Sequence, residues 1–193
     1  MQVLVLASGS RYRAELLQRL NLPFLQCSPN IDESALPDEN PGQLASRLAR
    51  GKADAACILT QPDALVIASD QVAACEGLRL HKPGSEERAR EQLTRMSGHS
   101  VDFYTALCLL DTGSGRYFDA LDVTTARLRA LEQDEITRYI AADQPLDCAG
   151  SFKVEALGIS LFDSVESQDP TALIGLPMIA LCRALRQAGV QIP

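Results

Sequence analysis

The stretch Val3-Leu4-Val5-Leu6-Ala7-Ser8-Gly9-Ser10-Arg11-Tyr12-Arg13 changes character twice within a few residues. Five apolar residues in a row predict a buried strand, because a strand covered on both faces needs no polar alternation. Ser8-Gly9-Ser10 then predicts a small-residue loop. From Arg11 to Leu20 apolar residues recur at helical spacing, at Ala14, Leu17 and Leu20 with Leu16 beside them. A strand–loop–helix unit of this kind places the chain in the mixed α/β class.

The rest of the chain continues in the same manner. Phe24–Ser28 reads as a second short strand. Asn40 and Pro41 suit the N-cap and first turn of a helix running to Ile58. Ala64–Ser69 reads as a buried strand that stops at Asp70. Gly77 marks a turn, and His81-Lys82-Pro83-Gly84 a loop. Ser85, with Glu86 and Glu87 after it, predicts a capped helix to Met96. Val101, Phe103, Thr105, Leu107 and Leu109 share one face of an alternating strand, and 112–115 reads as a hairpin turn. A strand over Val123–Leu128, a helix over Glu132–Ala141, a loop at Cys148–Phe152, a strand near Gly158–Phe162 and a helix over Leu176–Ala188 complete the pattern. The helical apolar faces at 14–20, 44–58 and 176–188 are core. There is no repeat or long linker, so 1–193 is expected to form a single domain.

Composition narrows the function. With 46% hydrophobic and 22% charged residues the chain is an ordinary globular one. Its longest apolar runs fall far short of the ~20 residues of a membrane helix. No basic stretch or cleavage site precedes Val3, so no signal peptide is expected and the protein is expected to be cytoplasmic. A net charge of −7 speaks against a nucleic-acid polymer as partner, which requires a basic face. A small polyanion held by a few cations in one cleft remains compatible with it. None of the six cysteines forms a C-x-x-C pair, so they are expected to be reduced and mostly buried, and zinc is not expected.

Three groups of residues can carry chemistry. The loop around Ser8, at the start of a helix bearing Arg11 and Arg13, offers backbone N–H groups, a helix N-terminus and a bidentate cation to a phosphate. A plain tight turn would also account for it. Asp32, Glu33 and above all Asp70, at the end of a buried strand, can hold a magnesium-type cation or activate water, or simply be solvated. Lys82, fixed by Pro83 and Gly84, and Lys52, on an Ala-rich helix, can neutralise phosphate; either could equally point to solvent. His81 and His99 have no nucleophile partner in the sequence and are expected at the surface.

In this order the clusters resemble the Maf family of nucleotide pyrophosphatases. The anchors are Leu6–Ser10 with Arg13 and Glu15-Leu16-Leu17, Asp32-Glu33, Ala49–Ala53, Ser69-Asp70-Gln71 and Lys82-Pro83. They continue with Ser97-Gly98-His99, Ala149–Phe152, and Asp169-Pro170 through Gly175-Leu176-Pro177. The resemblance implies an elongated, mixed-sheet, two-lobed α/β fold of the Maf/ITPase-like kind with a central cleft, often a homodimer. It also implies hydrolysis of a nucleoside triphosphate between the α- and β-phosphates with a divalent cation (Mg, Mn or Co). By position, Asp70 would be the general base and Glu33 would help Asp70 hold the metal. Lys52 and Lys82 would act with them at the reacting phosphates, and Ser8 and Arg13 would bind phosphate.

Tyr12, Gln71 and Glu155 depart from the pyrimidine-specific pattern and resemble the YceF-like subgroup, which acts on 7-methyl-GTP. Guanine presents N1–H and N2–H₂ donors that a carboxylate at Glu155 can accept. N7 methylation makes the base cationic, which suits stacking on Tyr12. The same glutamate disfavours the O2 and O4 acceptors of thymine or uracil. The expected role is removal of an aberrant or salvaged nucleotide from the pool. A dTTP/UTP pyrophosphatase and a non-catalytic, nucleotide-binding regulator of cell division are the alternatives.

Overall fold

The apolar runs assemble into one seven-stranded mixed sheet in the computed structural model, which describes residues 2–58 and 63–193. The strands are β1 (Val3–Ala7), β2 (Phe24–Cys27), β3 (Ala64–Cys75), β4 (Leu78–Leu80), β5 (Ser100–Asp111), β6 (Arg116–Leu128) and β7 (Phe162–Glu166). They lie in the order β2-β1-β3-β5-β6-β7, with β4 pairing the far half of β3. β1 is parallel to β2 and β3, and the other pairs are antiparallel. The helices are α1 (Arg11–Gln18), α2 (Pro41–Cys57), α3 (Glu86–Met96), α4 (Gln133–Asp143) and α5 (Met178–Gln187).

Period-two alternation along β3 sorts its side chains onto two faces. Even-numbered Ala64, Val66, Ala68 and Val72 pack under α2 with Leu44, Leu48, Ala49 and Ala53. Odd-numbered Leu65 and Ile67 pack on the opposite face with Leu16 and Leu17 of α1 and Leu181 and Leu185 of α5. Farther along that odd face, Ala73 and Cys75 enter a third cluster with Leu93, Met96, Ile136 and Ile140 of α3 and α4. Ser69 and Gln71 fall between these two odd-face clusters. Two cores therefore share the odd face of one sheet, with a polar interval between them.

The sheet is incomplete at this interval. β1 pairs β3 as far as Ile67, and β4 takes up the same edge only from Ala73. No described strand covers residues 68–72 on that side. β5 pairs β3 without a break on the other side, from Leu65↔Asp111 to Cys75↔Val101. Asp70 lies in the middle of the uncovered interval.

Helix boundaries follow local chemistry. Asn40 and Gln43 form a reciprocal capping box at α2 with Pro41 in its first turn, and the Ser85 hydroxyl accepts from Arg88 N–H at α3. Several expectations need correction. β3 does not stop at Asp70 but runs on to Cys75, because β5 pairs with it throughout and Lys52 compensates the buried charge. β6 begins at Arg116, well before Val123, its residues from Tyr117 to Val123 alternating exposed and half-buried along β5. Leu78–Leu80 was expected as no element and forms β4. Residues 157–161 are a 3-10 helix, and the strand begins only at Phe162. Gly158 lies against the backbone of Lys153, where a Cβ would come within 2.5 Å of the carbonyl oxygen. All six cysteines are free thiols, two buried and four partly buried. Among the described residues no helix is long and apolar enough to cross a membrane.

Candidate functional site

A cleft of about 460 Å³ opens at the uncovered interval of β3, with Tyr12 and Arg13 of α1, Leu44, Leu48 and Lys52 of α2, and residues of the 147–155 and 173–175 segments around it. Eight of the residues singled out in the sequence line it: Tyr12, Arg13, Glu33, Lys52, Asp70, Gln71, Lys82 and Glu155. Ser8 does not line it directly but touches it through Arg13, whose Nη1 donates to the Ser8 hydroxyl at 3.2 Å. Asp32 stays outside, an exposed carboxylate that accepts from Ser34 N–H.

The centre of the cleft is an ammonium between two carboxylates. Lys52, from α2, donates to Asp70 Oδ1 and lies 2.7 Å from Glu33 Oε1. The Lys52 and Asp70 side chains are 12% and 11% exposed, and that of Glu33 is 59% exposed. Asp70 is thus the buried member and Glu33 the exposed rim. The bond from Lys52 holds the Glu33 pKa below the usual carboxylate value against a partial burial penalty, with Lys82 and Arg13 adding in the same direction. Among the described residues no three His, Cys, Asp or Glu side chains converge. Two oxygen donors fit a magnesium-type ion, which commonly takes one or two carboxylates and completes its sphere with water and substrate phosphate. Lys52 already sits where those two carboxylates attract a cation.

The small-residue loop after β1 positions the second wall. Ser10 caps α1, its hydroxyl accepting from Arg13 N–H. Gln26 of β2 donates to the Ser8 carbonyl oxygen at 2.6 Å and ties down the loop from the neighbouring strand. Arg13 turns back across the loop, and its Nε donates to the Gly175 carbonyl oxygen at 2.8 Å. Burial pulls the Arg13 pKa down, while the nearby Asp70 and Glu33 carboxylates act to raise it. The arginine therefore brings a desolvated positive charge to the cleft. Arg79 on β4, Lys82 and His81 line the same cavity, so His81 is an exposed residue of the cleft mouth. His99 lies at the surface away from it, with Nε2 3.5 Å from a Glu76 oxygen.

The far wall holds the aromatic and the second carboxylate. Tyr12 is partly buried, its hydroxyl accepting from Arg11 at 2.8 Å with the Arg11 guanidinium 4.7 Å from its ring centroid. One ring face is therefore covered by the chain's own cation. Burial pushes the Tyr12 phenol up to about 12 and likewise the Cys148 thiol beside it, so both stay protonated near neutrality. Lys153 does not pair with Glu155; its ammonium donates to the Asp143 and Gln144 carbonyl oxygens at the end of α4. Glu155 is exposed and takes part in no ion pair among the described residues. Gln71 is committed elsewhere: its amide nitrogen lies 3.0 Å from Thr105 Oγ1 and 3.0 and 3.1 Å from the Ala172 and Leu173 carbonyl oxygens. Only its side-chain carbonyl is left for another partner.

Sequence reasoning passed over Arg79, and it quoted Ser69 and Gly175 only as anchors of the resemblance, without a role for the hydroxyl or the carbonyl. Arg79 sits in a three-residue strand too short to register as a pattern. Ser69 reads as the last polar residue of an apolar strand, and a carbonyl has no signature in a sequence.

The family model described as "Maf-like protein" matches residues 3–188. The chain is 58% identical, over the whole of both chains, to the 7-methyl-GTP pyrophosphatase of Xanthomonas axonopodis pv. citri (strain 306). It is 52% identical over 188 residues to the protein of the same name from Burkholderia pseudomallei (strain 1710b), covering 96% of this chain and 87% of that one. Solved structures share the fold at low identity. The HAM1 protein of Coxiella burnetii matches at TM-score 0.55 and 15% identity, over 98% of this chain and 99% of that one. The Ham1 protein of Staphylococcus aureus matches at 0.56 and 13%, over 98% and 100%.

Proposed function

This chain belongs to the Maf family, and from that premise we propose that it hydrolyses 7-methyl-GTP to 7-methyl-GMP and pyrophosphate, clearing a modified nucleotide from the pool. The observation that carries the chemistry is the Asp70–Lys52–Glu33 cluster at the floor of a cleft walled by Arg13, Lys82 and Arg79. A polyphosphate is what such a set of cations accommodates in a chain of net charge −7.

In the reaction, Asp70 accepts a proton from water as the water oxygen bonds to the α-phosphorus. The bond from that phosphorus to the α–β bridging oxygen breaks, and pyrophosphate leaves with the electron pair. Lys52 holds one oxygen of Asp70 and so orients the other towards the water. Arg13 and Lys82 neutralise the charge that develops on the phosphate oxygens and the leaving group, a role worth most in a site shielded from solvent. Glu33 and Asp70 would hold a divalent cation, which supplies Lewis-acid polarisation of the phosphoryl oxygens when bound.

Base choice follows from the far wall. Glu155 has no cation of its own and accepts from guanine N1–H and N2–H₂. The positively charged methylated ring takes the face of Tyr12 that Arg11 leaves open. The test is pyrophosphate release from 7-methyl-GTP, GTP, dTTP and UTP, with magnesium or manganese and with a chelator. Highest metal-dependent turnover on 7-methyl-GTP supports both halves of the proposal. Best turnover on dTTP or UTP keeps the mechanism and removes the Tyr12–Glu155 pocket. No turnover on any of them leaves a nucleotide-binding regulator.

A further inference from the structure

The turn 172–175, between β7 and α5, is held to the sheet by the residues on either side of Asp70. Ser69 is fully buried, and its hydroxyl lies 2.7 Å from the Ala106 carbonyl oxygen and 2.9 Å from that of Gly175. Gln71 reaches the Ala172 and Leu173 carbonyl oxygens, and the buried Thr105 hydroxyl donates to Ala172 at 3.0 Å. Strand alternation explains this division. Ser69 and Gln71 project from the odd face of β3 onto the turn, and Asp70 projects from the even face towards α2. The turn closes on itself through Gly175 N–H, which donates to the Ala172 carbonyl oxygen at 2.8 Å.

The Gly175 carbonyl oxygen is thus a meeting point. Ser69 reaches it from the strand, and Arg13 Nε reaches it from α1. Gly175 has φ +124°, and a Cβ there would stand 3.4 Å from Arg13 Nε and 3.9 Å from Nη2. Glycine supplies this backbone conformation, and a Cβ there would only come into ordinary contact with the guanidinium. With Nε on Gly175 and Nη1 on Ser8, Nη2 donates to no protein acceptor among the described residues.

We propose that Ser69 is a positioning residue, which through the Gly175 carbonyl fixes the Arg13 guanidinium so that its free Nη2 meets a substrate phosphate. The strand that carries the proton acceptor would then also set the orientation of a phosphate-binding cation. Water and phosphate would keep their relative placement because consecutive residues of one strand govern both. The inference rests on the phosphate-hydrolysing reading above.

The test is a double-mutant cycle of Ser69→Ala and Arg13→Lys, read by kcat/KM on 7-methyl-GTP and by calorimetric binding of inorganic tripolyphosphate. Lysine keeps the charge but has no Nε–H fork to seat on Gly175. Ser69→Ala in the parent is expected to lower kcat/KM about tenfold and to weaken tripolyphosphate binding in parallel, the scale of a small misplacement of a positioned group. In the Arg13→Lys background the same change should alter either quantity by less than about twofold, whereas independent sites would contribute equal factors in both backgrounds. Equal factors in both backgrounds, or no effect in the parent, overturn the positioning role. A parent that hydrolyses no nucleotide overturns the underlying reading instead, and the tripolyphosphate measurement then still decides the role of Ser69. If the Ser69→Ala chain does not fold, Ser69→Cys, which keeps a weak donor in similar volume, enters the same cycle.

Discussion

Exchanging Glu155 for glutamine alters one atom at the cleft wall and isolates the base-recognition step. The parent carboxylate is exposed and free of any ion pair among the described residues, because Lys153 is engaged with the carbonyl oxygens of Asp143 and Gln144. Both of its oxygens can therefore accept from guanine, one from N1–H and one from N2–H₂. In the Glu155→Gln variant one oxygen remains and the other position becomes a donor facing a donor. A hydrogen bond to a charged group contributes about 1.5–3 kcal/mol, and the exposure of Glu155 places the loss at the lower end, about 1.5–2 kcal/mol. With 1.4 kcal/mol per factor of ten, that is a fall of about 10- to 30-fold in kcat/KM on 7-methyl-GTP. The amide no longer repels the O4 of uracil or thymine, so kcat/KM on UTP and dTTP should stay level or rise, and the selectivity ratio should shift by at least the loss on 7-methyl-GTP. Pyrophosphate release across the four nucleotides measures this directly. An equal fall on all four would make Glu155 a structural or phosphate-linked residue, and an unchanged profile would remove it from recognition altogether.

Three further outcomes follow from the same geometry. Asp70→Asn keeps the shape of the group beside Lys52 but removes the proton acceptor; kcat should drop by about 10²–10⁴-fold while tripolyphosphate still binds, and turnover equal to the parent would refute the role of Asp70. Gly158→Ala puts a methyl within 2.5 Å of the Lys153 carbonyl oxygen, and thermal melting should show a loss of about 1–3 kcal/mol as the 153–158 segment shifts. The paired Arg47 guanidinium lowers the Glu39 carboxyl from 4.5 to about 2. Because the folded-state pKa lies below the unfolded value, that pair stabilises the fold above about pH 4.5 and its contribution disappears as pH falls towards 2. Glu39→Gln should accordingly flatten the acid limb of a stability–pH curve between those values and leave it unchanged at low pH.

The sequence is informative where a rule of local physics acts alone. The continuous apolar run at Val3–Ala7, the Asn40-Pro41 helix start and the acidic first turn after Ser85 each became the expected element. Expectation failed where a distant partner decided the matter. A charged residue at the end of an apolar run reads as a strand end, yet Asp70 lies within β3 because Lys52, from α2, and an unbroken β5 ladder accommodate it. Gly158–Phe162 reads as a strand, yet 157–161 turn as a 3-10 helix and the strand begins only at Phe162. The candidate site behaved similarly. Its charged side chains were visible as residue types in an order, whereas the Gly175 carbonyl, the Ser69 hydroxyl and the commitment of Gln71 emerge only from the packing of the 172–175 turn on the sheet.

The unbroken β3–β5 ladder also bears on how the molecule can move. Both cores hang on the same pair of strands, paired from Leu65↔Asp111 to Cys75↔Val101, so neither can swing about a flexible linker. Opening the cleft must twist a continuous antiparallel ribbon, in which hydrogen-bonded and non-hydrogen-bonded pairs alternate. Asp70 lies midway along it, opposite Ala106. The loop after β1, the segment carrying Glu33 and the turn that bears Lys82 stand outside this ribbon, and they can shift around Asp70 without breaking its pairs.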